Sequence, residues 1–146
     1  MKKILAFLLV ALFSLESYAQ EISRDKVPPV ITVAFKQKFP KASDISWEMK
    51  GEQFNVDFEI DRRDHEAWYD GSGKLLKHTR DIRQNELPKA VLDAIRKQFV
   101  NYRVSDTEKT TDHQGADTYK VELKKLSSDL DVIFSPEGKV LDQKAD

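Results

Sequence analysis

The chain has 146 residues, 24 of them Lys or Arg and 25 Asp or Glu, for a formal charge of −1, and it contains no cysteine. With 40% hydrophobic and 34% charged residues it has the balance of one globular domain with a core. Balanced charge excludes the overall basicity of a nucleic-acid binder, and the absence of Cys excludes a disulfide scaffold, a thiol nucleophile, cysteine-ligated zinc and a lipidated N-terminal cysteine.

The first nineteen residues read as a secretory signal. Lys2 and Lys3 precede a twelve-residue run, Ile4–Leu15, whose only polar member is Ser14. Ser17-Tyr18-Ala19 then places small residues where a signal peptidase inspects them, which predicts cleavage between Ala19 and Gln20. Twelve apolar residues span roughly 18 Å as a helix, short of a ~30 Å hydrocarbon core. Removing the segment leaves 22 basic and 24 acidic residues, a charge of −2. The expectation is an exported, periplasmic protein with no stable membrane insertion after cleavage.

From Gln20 to Asp146 a single domain is expected, built from two half-repeats at about 25–82 and 85–146. Val27-Pro28-Pro29-Val30 through Phe39 matches Leu87-Pro88-Lys89-Ala90 through Phe99 at an offset of sixty. The offset then becomes sixty-five: Phe54–Phe58 matches Tyr119–Leu123, Ala67-Trp68-Tyr69 matches Val132-Ile133-Phe134, and Gly73-Lys74-Leu75-Leu76 matches Gly138-Lys139-Val140-Leu141. The difference falls near Thr110–Ala116 and reads as a longer hairpin loop.

Each half opens with a helix. Val27, Val30, Ile31, Ala34, Phe35 and Lys38/Phe39 share one face, as do Leu87, Val91, Ala94, Ile95 and Phe99. Asp25 and Asn85 stand where an N-cap is wanted, with Pro28 and Pro88 in the first turn. Period-two alternation follows. Ile45, Trp47 and Met49 alternate with polar residues, and so do Phe54, Val56, Phe58 and Ile60. Further strands are expected at His65–Asp70 and about Lys74–Ile82. The second half repeats them near Arg103–Lys109, Thr118–Lys125, Asp129–Ser135 and Lys139–Gln143. The order α-β-β-β-β, twice, predicts an α+β fold with one antiparallel sheet and both helices on one face.

These features together resemble the PepSY-like family of small periplasmic proteins: a signal, two α-β repeats, helix starts Val27-Pro28 and Leu87-Pro88, and a Gly-Lys-Leu turn. The family fold is similar to that of the β-lactamase-inhibitor protein. The resemblance implies two halves sharing one curved sheet and a role in binding or inhibiting another protein. It carries over no catalytic residue. The inhibitor itself has a disulfide in each repeat, which this chain lacks, so the shared feature is the scaffold.

The residues themselves point away from catalysis. His65, His78 and His113 lie in different elements without metal-ligand spacing. Ser72, Ser127 and Ser128 are turn serines outside a Gly-x-Ser-x-Gly setting. Asp70-Gly71-Ser72-Gly73-Lys74 lacks the ligand pattern of a calcium loop and reads as a hairpin turn. Arg62-Arg63 and Lys124-Lys125 are interrupted by acids, against a nucleic-acid surface. No cofactor or metal site is expected.

Two functions remain: a binding module that recognises a protein or peptide through the open sheet face, or a structural or stress-related envelope protein that self-associates. Setting His65, Ala67 and Tyr69 opposite Leu130, Val132 and Phe134 marks the helix-covered face. Trp68 and Ile133 must then point the other way, with Asn55, Asp57, Glu59, Glu66, Asp70, Lys120 and Glu122. An exposed Trp ringed by charged groups has the character of an interface anchor.

Overall fold

Period-two alternation with short turns gives a chain that folds back on itself strand by strand, and the sheet is that meander. The structure, a computed structural model, describes residues 19–145. The signal-sequence expectation falls largely on residues 1–18, outside the described residues. Nine strands lie side by side in sequence order, every neighbouring pair antiparallel. They are β1 Gln20–Ile22, β2 Ser43–Lys50, β3 Gln53–Ile60, β4 Arg63–Tyr69, β5 Leu75–Asp81, β6 Arg103–Asp112, β7 Asp117–Lys125, β8 Ser128–Phe134 and β9 Val140–Ala145. Helix α1, Pro29–Lys38, connects β1 to β2, and α2, Lys89–Gln98, connects β5 to β6. The α-β-β-β-β order thus occurs twice in one α+β sheet.

Each helix packs on its own half through a separate apolar cluster. Under α1, Ile31, Phe35 and Phe39 meet Trp47, Val56, Phe58 and Ala67. The Phe35 and Phe39 rings lie 5.0 and 4.7 Å from that of Phe58. Under α2, Val91, Ile95 and Phe99 meet Val121, Leu123, Val132 and Phe134. The covered face between the clusters is polar, built around His65, His78, Arg80, Lys109 and Asp117. Lys109 pairs with Asp117 at 2.8 Å there.

Several local expectations are corrected. Asp25 and Asn85 are not N-caps: they lie inside short 3₁₀ turns, Arg24–Lys26 and Gln84–Glu86, and each helix starts after Pro28 or Pro88 without a side-chain cap. Val30 is 50% exposed rather than part of the buried face, because the stripe through Ile31 and Phe35 leaves it on the flank. Ile45 is also exposed: the ladder between β2 and β3 is irregular from Ser43 to Ser46, and Asp44 has φ 49°, so the alternation slips there. β1 was unforeseen. Near Thr110–Ala116 the extra residues lengthen the loop, which runs over 113–116 against 51–52 in the first half, and also β6 and β7, since Thr111 gains ladder partners in both His78 and Asp117.

Candidate functional site

Strand alternation and the observed register place the candidate residues on the face without helices. Asn55 lies opposite Trp68, which lies opposite Lys77. One step along, Asp57 lies opposite Glu66, which lies opposite Thr79, and Thr79 bonds Thr110 across the junction of the halves at 2.8 Å. In the second half Lys120 lies opposite Ile133 and Glu122 opposite Asp131. Trp68 therefore shares its face with Asn55, Asp57, Glu59, Glu66, Lys120, Glu122 and Ile133.

Three expectations about this face change. Trp68 is half-buried, not fully exposed: its Nε1–H donates to Glu66 Oε1, and the Lys77 ammonium stands 4.9 Å above the ring. Asn55 is only 4% exposed, and its Nδ2 has no hydrogen-bond partner. Asp70 belongs to the turn after β4. Its Oδ1 accepts from the Ser72 and Lys74 backbone N–H groups at 2.9 and 3.0 Å and from the Ser72 hydroxyl.

Beside Trp68 runs an acidic groove of about 480 Å³. Asp57, Glu59, Asp64 and Glu66 line it from β3 and β4, and Asp81, Asp106 and Glu108 from β5 and β6. Among the described residues none of these seven forms an ion pair. Burial, then the neighbouring Glu66, Glu48 and Asp64, pushes the Asp57 carboxyl above the ordinary range. Asp81 is raised by burial and by Asp106 and Asp64. Glu108 is raised chiefly by burial, against the pull of Lys120.

The second-half face has the opposite electrostatics. Lys120 pairs with Asp131 at 3.3 Å, and Lys124 with Glu122 at 2.8 Å and Asp129 at 4.0 Å. The sequence reading missed Asp64 and Lys77 within the first half, and Asp81, Asp106 and Glu108 because only the pairing of β5 with β6 brings the two halves edge to edge. Carrying the strand register outward from the Asp70–Gly73 turn would have placed Leu76 opposite Trp68; a register shift between Trp68 and Tyr69 brings Lys77 there instead.

A second polar constellation lies on the covered face. His65 Nδ1 and His78 Nε2 stand 2.9 Å apart, with the rings stacked at 5.1 Å between Phe58 and Phe39. Burial, then His65, Arg80, Lys38 and Lys109, depresses His78 to about 4. His65 is lowered by burial and by Arg80 and Arg63. His113 sits apart, in the β6–β7 turn.

A family model described as "Putative beta-lactamase-inhibitor-like, PepSY-like" matches residues 14–77 and again 52–142. The chain belongs to the PepSY-like family. Two matches on one chain accord with the tandem repeat. Among solved structures, a "BLIP-like protein" from Bacteroides fragilis is 29% identical, with TM-score 0.68 over 81% of this chain and 86% of that one. A DUF2874 family protein from Bacteroides uniformis is 20% identical, with TM-score 0.73 over 81% and 88%. A protein from Bacteroides eggerthii described as "putative periplasmic" is 21% identical, with TM-score 0.74 over 82% and 88%. The last two likenesses carry the fold. The chain matches no curated protein. Among the described residues no helix is long and apolar enough to cross a membrane.

Proposed function

We propose that this PepSY-like protein is an exported, periplasmic, non-catalytic binding module that recognises a protein or peptide through the open face of its sheet. The observation that carries this reading is Trp68, held at the edge of burial by Glu66 and Lys77 on the face that neither helix covers. An indole fixed in this way offers a large apolar surface at little entropic cost, as residues that dominate interfaces do. The fold shared with a protein described as BLIP-like supports an inhibitor-like rather than a catalytic use of the scaffold.

The second reading is a structural envelope protein that self-associates. It draws on β9, an edge strand whose Leu141 is half exposed. Site-specific photocrosslinking in the cell envelope separates the two. A crosslinker at Lys77 or Thr79 should capture a different polypeptide, and one at Val33, on the outer side of α1, should not. Capture of the same chain from Leu141, with nothing from Thr79, would favour self-association and sink the open-face reading. Trp68→Ala should leave the thermal midpoint nearly unchanged while weakening capture by ~2 kcal/mol or more.

A further inference from the structure

The two halves share a backbone plan, so the second half shows what this scaffold does with charge when nothing need be left unpaired. Sixty-five residues on from Asn55 and Glu59 stand Lys120 and Lys124. Those two lysines neutralise Asp131, Glu122 and Asp129 across β7 and β8. The first half has an amide and a carboxylate in their place. Its acids, continued by Asp81 and Glu108 at the junction, form no ion pair among the described residues, although Arg80 lines the groove and Lys120 lies opposite Glu108. Like charges across neighbouring strands oppose folding, so the scaffold does not require this arrangement.

Three further observations bear on what would cover the face. Asn55 occupies the same face, between Glu48 and Trp68, and its buried Nδ2 lacks an acceptor. An orphaned amide donor is matched by the carbonyl oxygen of an incoming chain. The Lys77 ammonium stands 4.9 Å over the Trp68 ring, so the indole accepts a cation on its face, and an incoming cation there would take the place of Lys77. Among the described residues the carboxylates form no group that could hold a metal ion. They are spread over four strands, β3 to β6, about 14 Å of sheet, the reach of four or five residues of extended chain.

Building on the open-face reading above, we propose that the first half of this face docks a Lys/Arg-rich extended segment of another exported polypeptide. Its cations lie over Asp57, Glu59, Glu66, Asp81 and Glu108, its aliphatic stems rest on Trp68, and a backbone carbonyl meets Asn55. The second half, with its charges already paired, contributes little to affinity.

The probes are three ten-residue synthetic peptides, alternating Lys-Ser, Glu-Ser and Gln-Ser, titrated into the purified protein. Binding is read by calorimetry and by the fluorescence of Trp68, the other indole, Trp47, being buried in the core. The Lys-Ser peptide should bind, the Glu-Ser peptide should not, and added salt should weaken the complex because partly exposed charges are screened. Glu59→Lys, and separately Asp57→Asn with Glu66→Gln, should each weaken it by about tenfold or more. Glu137→Gln, exposed in the turn between β8 and β9, should leave it unchanged.

The outcomes are distinguishable. If the Gln-Ser or Glu-Ser peptide binds as tightly as Lys-Ser and Trp68→Ala abolishes it, the face binds polypeptide and the cationic assignment is overturned. If Lys-Ser binding survives both Trp68→Ala and Glu59→Lys, the cations dock elsewhere and the open-face reading loses its support too. Absence of binding by the Lys-Ser peptide at low salt overturns the proposal, while the crosslinking experiment above still decides the face.

Discussion

At positions sixty-five residues apart, the first half carries Asn55, Glu59 and Trp68 where the second carries Lys120, Lys124 and Ile133. On the covered side it carries His65, Tyr69 and His78 where the second has Leu130, Phe134 and Gln143. In every pair but Trp68 and Ile133 the first-half residue adds an unpaired polar group or a titratable ring, and the second-half residue lacks it or forms an ion pair. Among the described residues both buried side-chain polar atoms without a partner, Asn55 Nδ2 and Tyr69 OH, lie in the first half. A burden confined to one of two equivalent units is not demanded by the backbone they share. The second half reads as scaffold, and the first as scaffold modified toward a site.

The largest effects should be alike in the two halves, since both cores are built the same way. Phe39→Ala and Phe99→Ala each remove a buried ring from a separate apolar cluster and should each cost ~3–5 kcal/mol. Urea melts showing a loss below about 1 kcal/mol at either site would mean that helix does not carry its half.

The hairpin glycines should split the halves. Gly73 and Gly138 both have positive φ, +86° and +83°, and both sit against the first turn of a helix. A Cβ at Gly138 would lie 2.8 Å from the Ala90 carbonyl carbon, nearer still to its oxygen, where backbone cannot yield. At Gly73 the nearest atoms, Val30 Cγ2 and O, stand at 3.1 Å. Gly138→Ala should therefore cost about 3 kcal/mol and Gly73→Ala about 1–2. Equal costs in thermal melts would show that α1 and α2 approach their turns alike.

Acid should also reach the first half through a group the second half lacks. His78 titrates near 4 in the folded chain because burial and its cationic neighbours disfavour the imidazolium. Its folded value lies below the unfolded one of about 6.5, so its contribution is complete above pH 6.5 and drains away as pH falls toward 4. After discounting for partial solvent exposure, that window holds roughly 1–2 kcal/mol. Asp57, Asp81 and Glu108, raised in the folded state, work in the opposite direction and gain on acidification. His78→Gln, which copies the second half, should flatten the loss between pH 6.5 and 4 without removing the carboxylate gain. A variant with an unchanged pH–stability curve would show that the histidine pair carries no such linkage.

These contrasts also mark what could be read from the chain. Repeat matching and alternation assign Phe58, Val56, Val121 and Phe134 to the core and Trp68 to the opposite face, because strand periodicity is written in consecutive residues. Asn55 shows the limit. Its face followed from alternation, but its burial depends on Trp68 and Glu48 in two other strands. The same holds for His65 and His78, whose contact requires the hairpin register, and for Asp81, which joins the acidic groove only because β5 pairs with β6. Local signals misled at Asp25 and Asn85, where a capping residue type occurs inside a 3₁₀ turn that precedes the helix.

Tyr69 tests whether the first half is under-satisfied on its buried side. Its hydroxyl is enclosed without a partner, and burial alone pushes it up to about 12. The equivalent Phe134 dispenses with the oxygen. Tyr69→Phe should raise stability by about 1 kcal/mol, as removing an unpaired buried polar group does. A loss of that size in denaturant melts would instead reveal a hydrogen bond, direct or through water.

The smallest effect bears most directly on the comparison. Lys124 stands beside Glu122, two residues earlier on its strand, and opposite Asp129 on the next. Glu59 stands in the same relation to Asp57 and Asp64, so Glu59→Lys would put an ammonium where the second half has one. The pairs it makes would be partly exposed, so the gain should be only about 0.5 kcal/mol and should shrink with added salt. The Asp57 carboxyl, now held high by burial and by its acidic neighbours, should titrate closer to the ordinary carboxylate range, which side-chain NMR can follow. If stability falls and Asp57 does not move, the two faces differ in backbone geometry rather than in charge alone. The second half would then no longer stand as the neutral reference for the first.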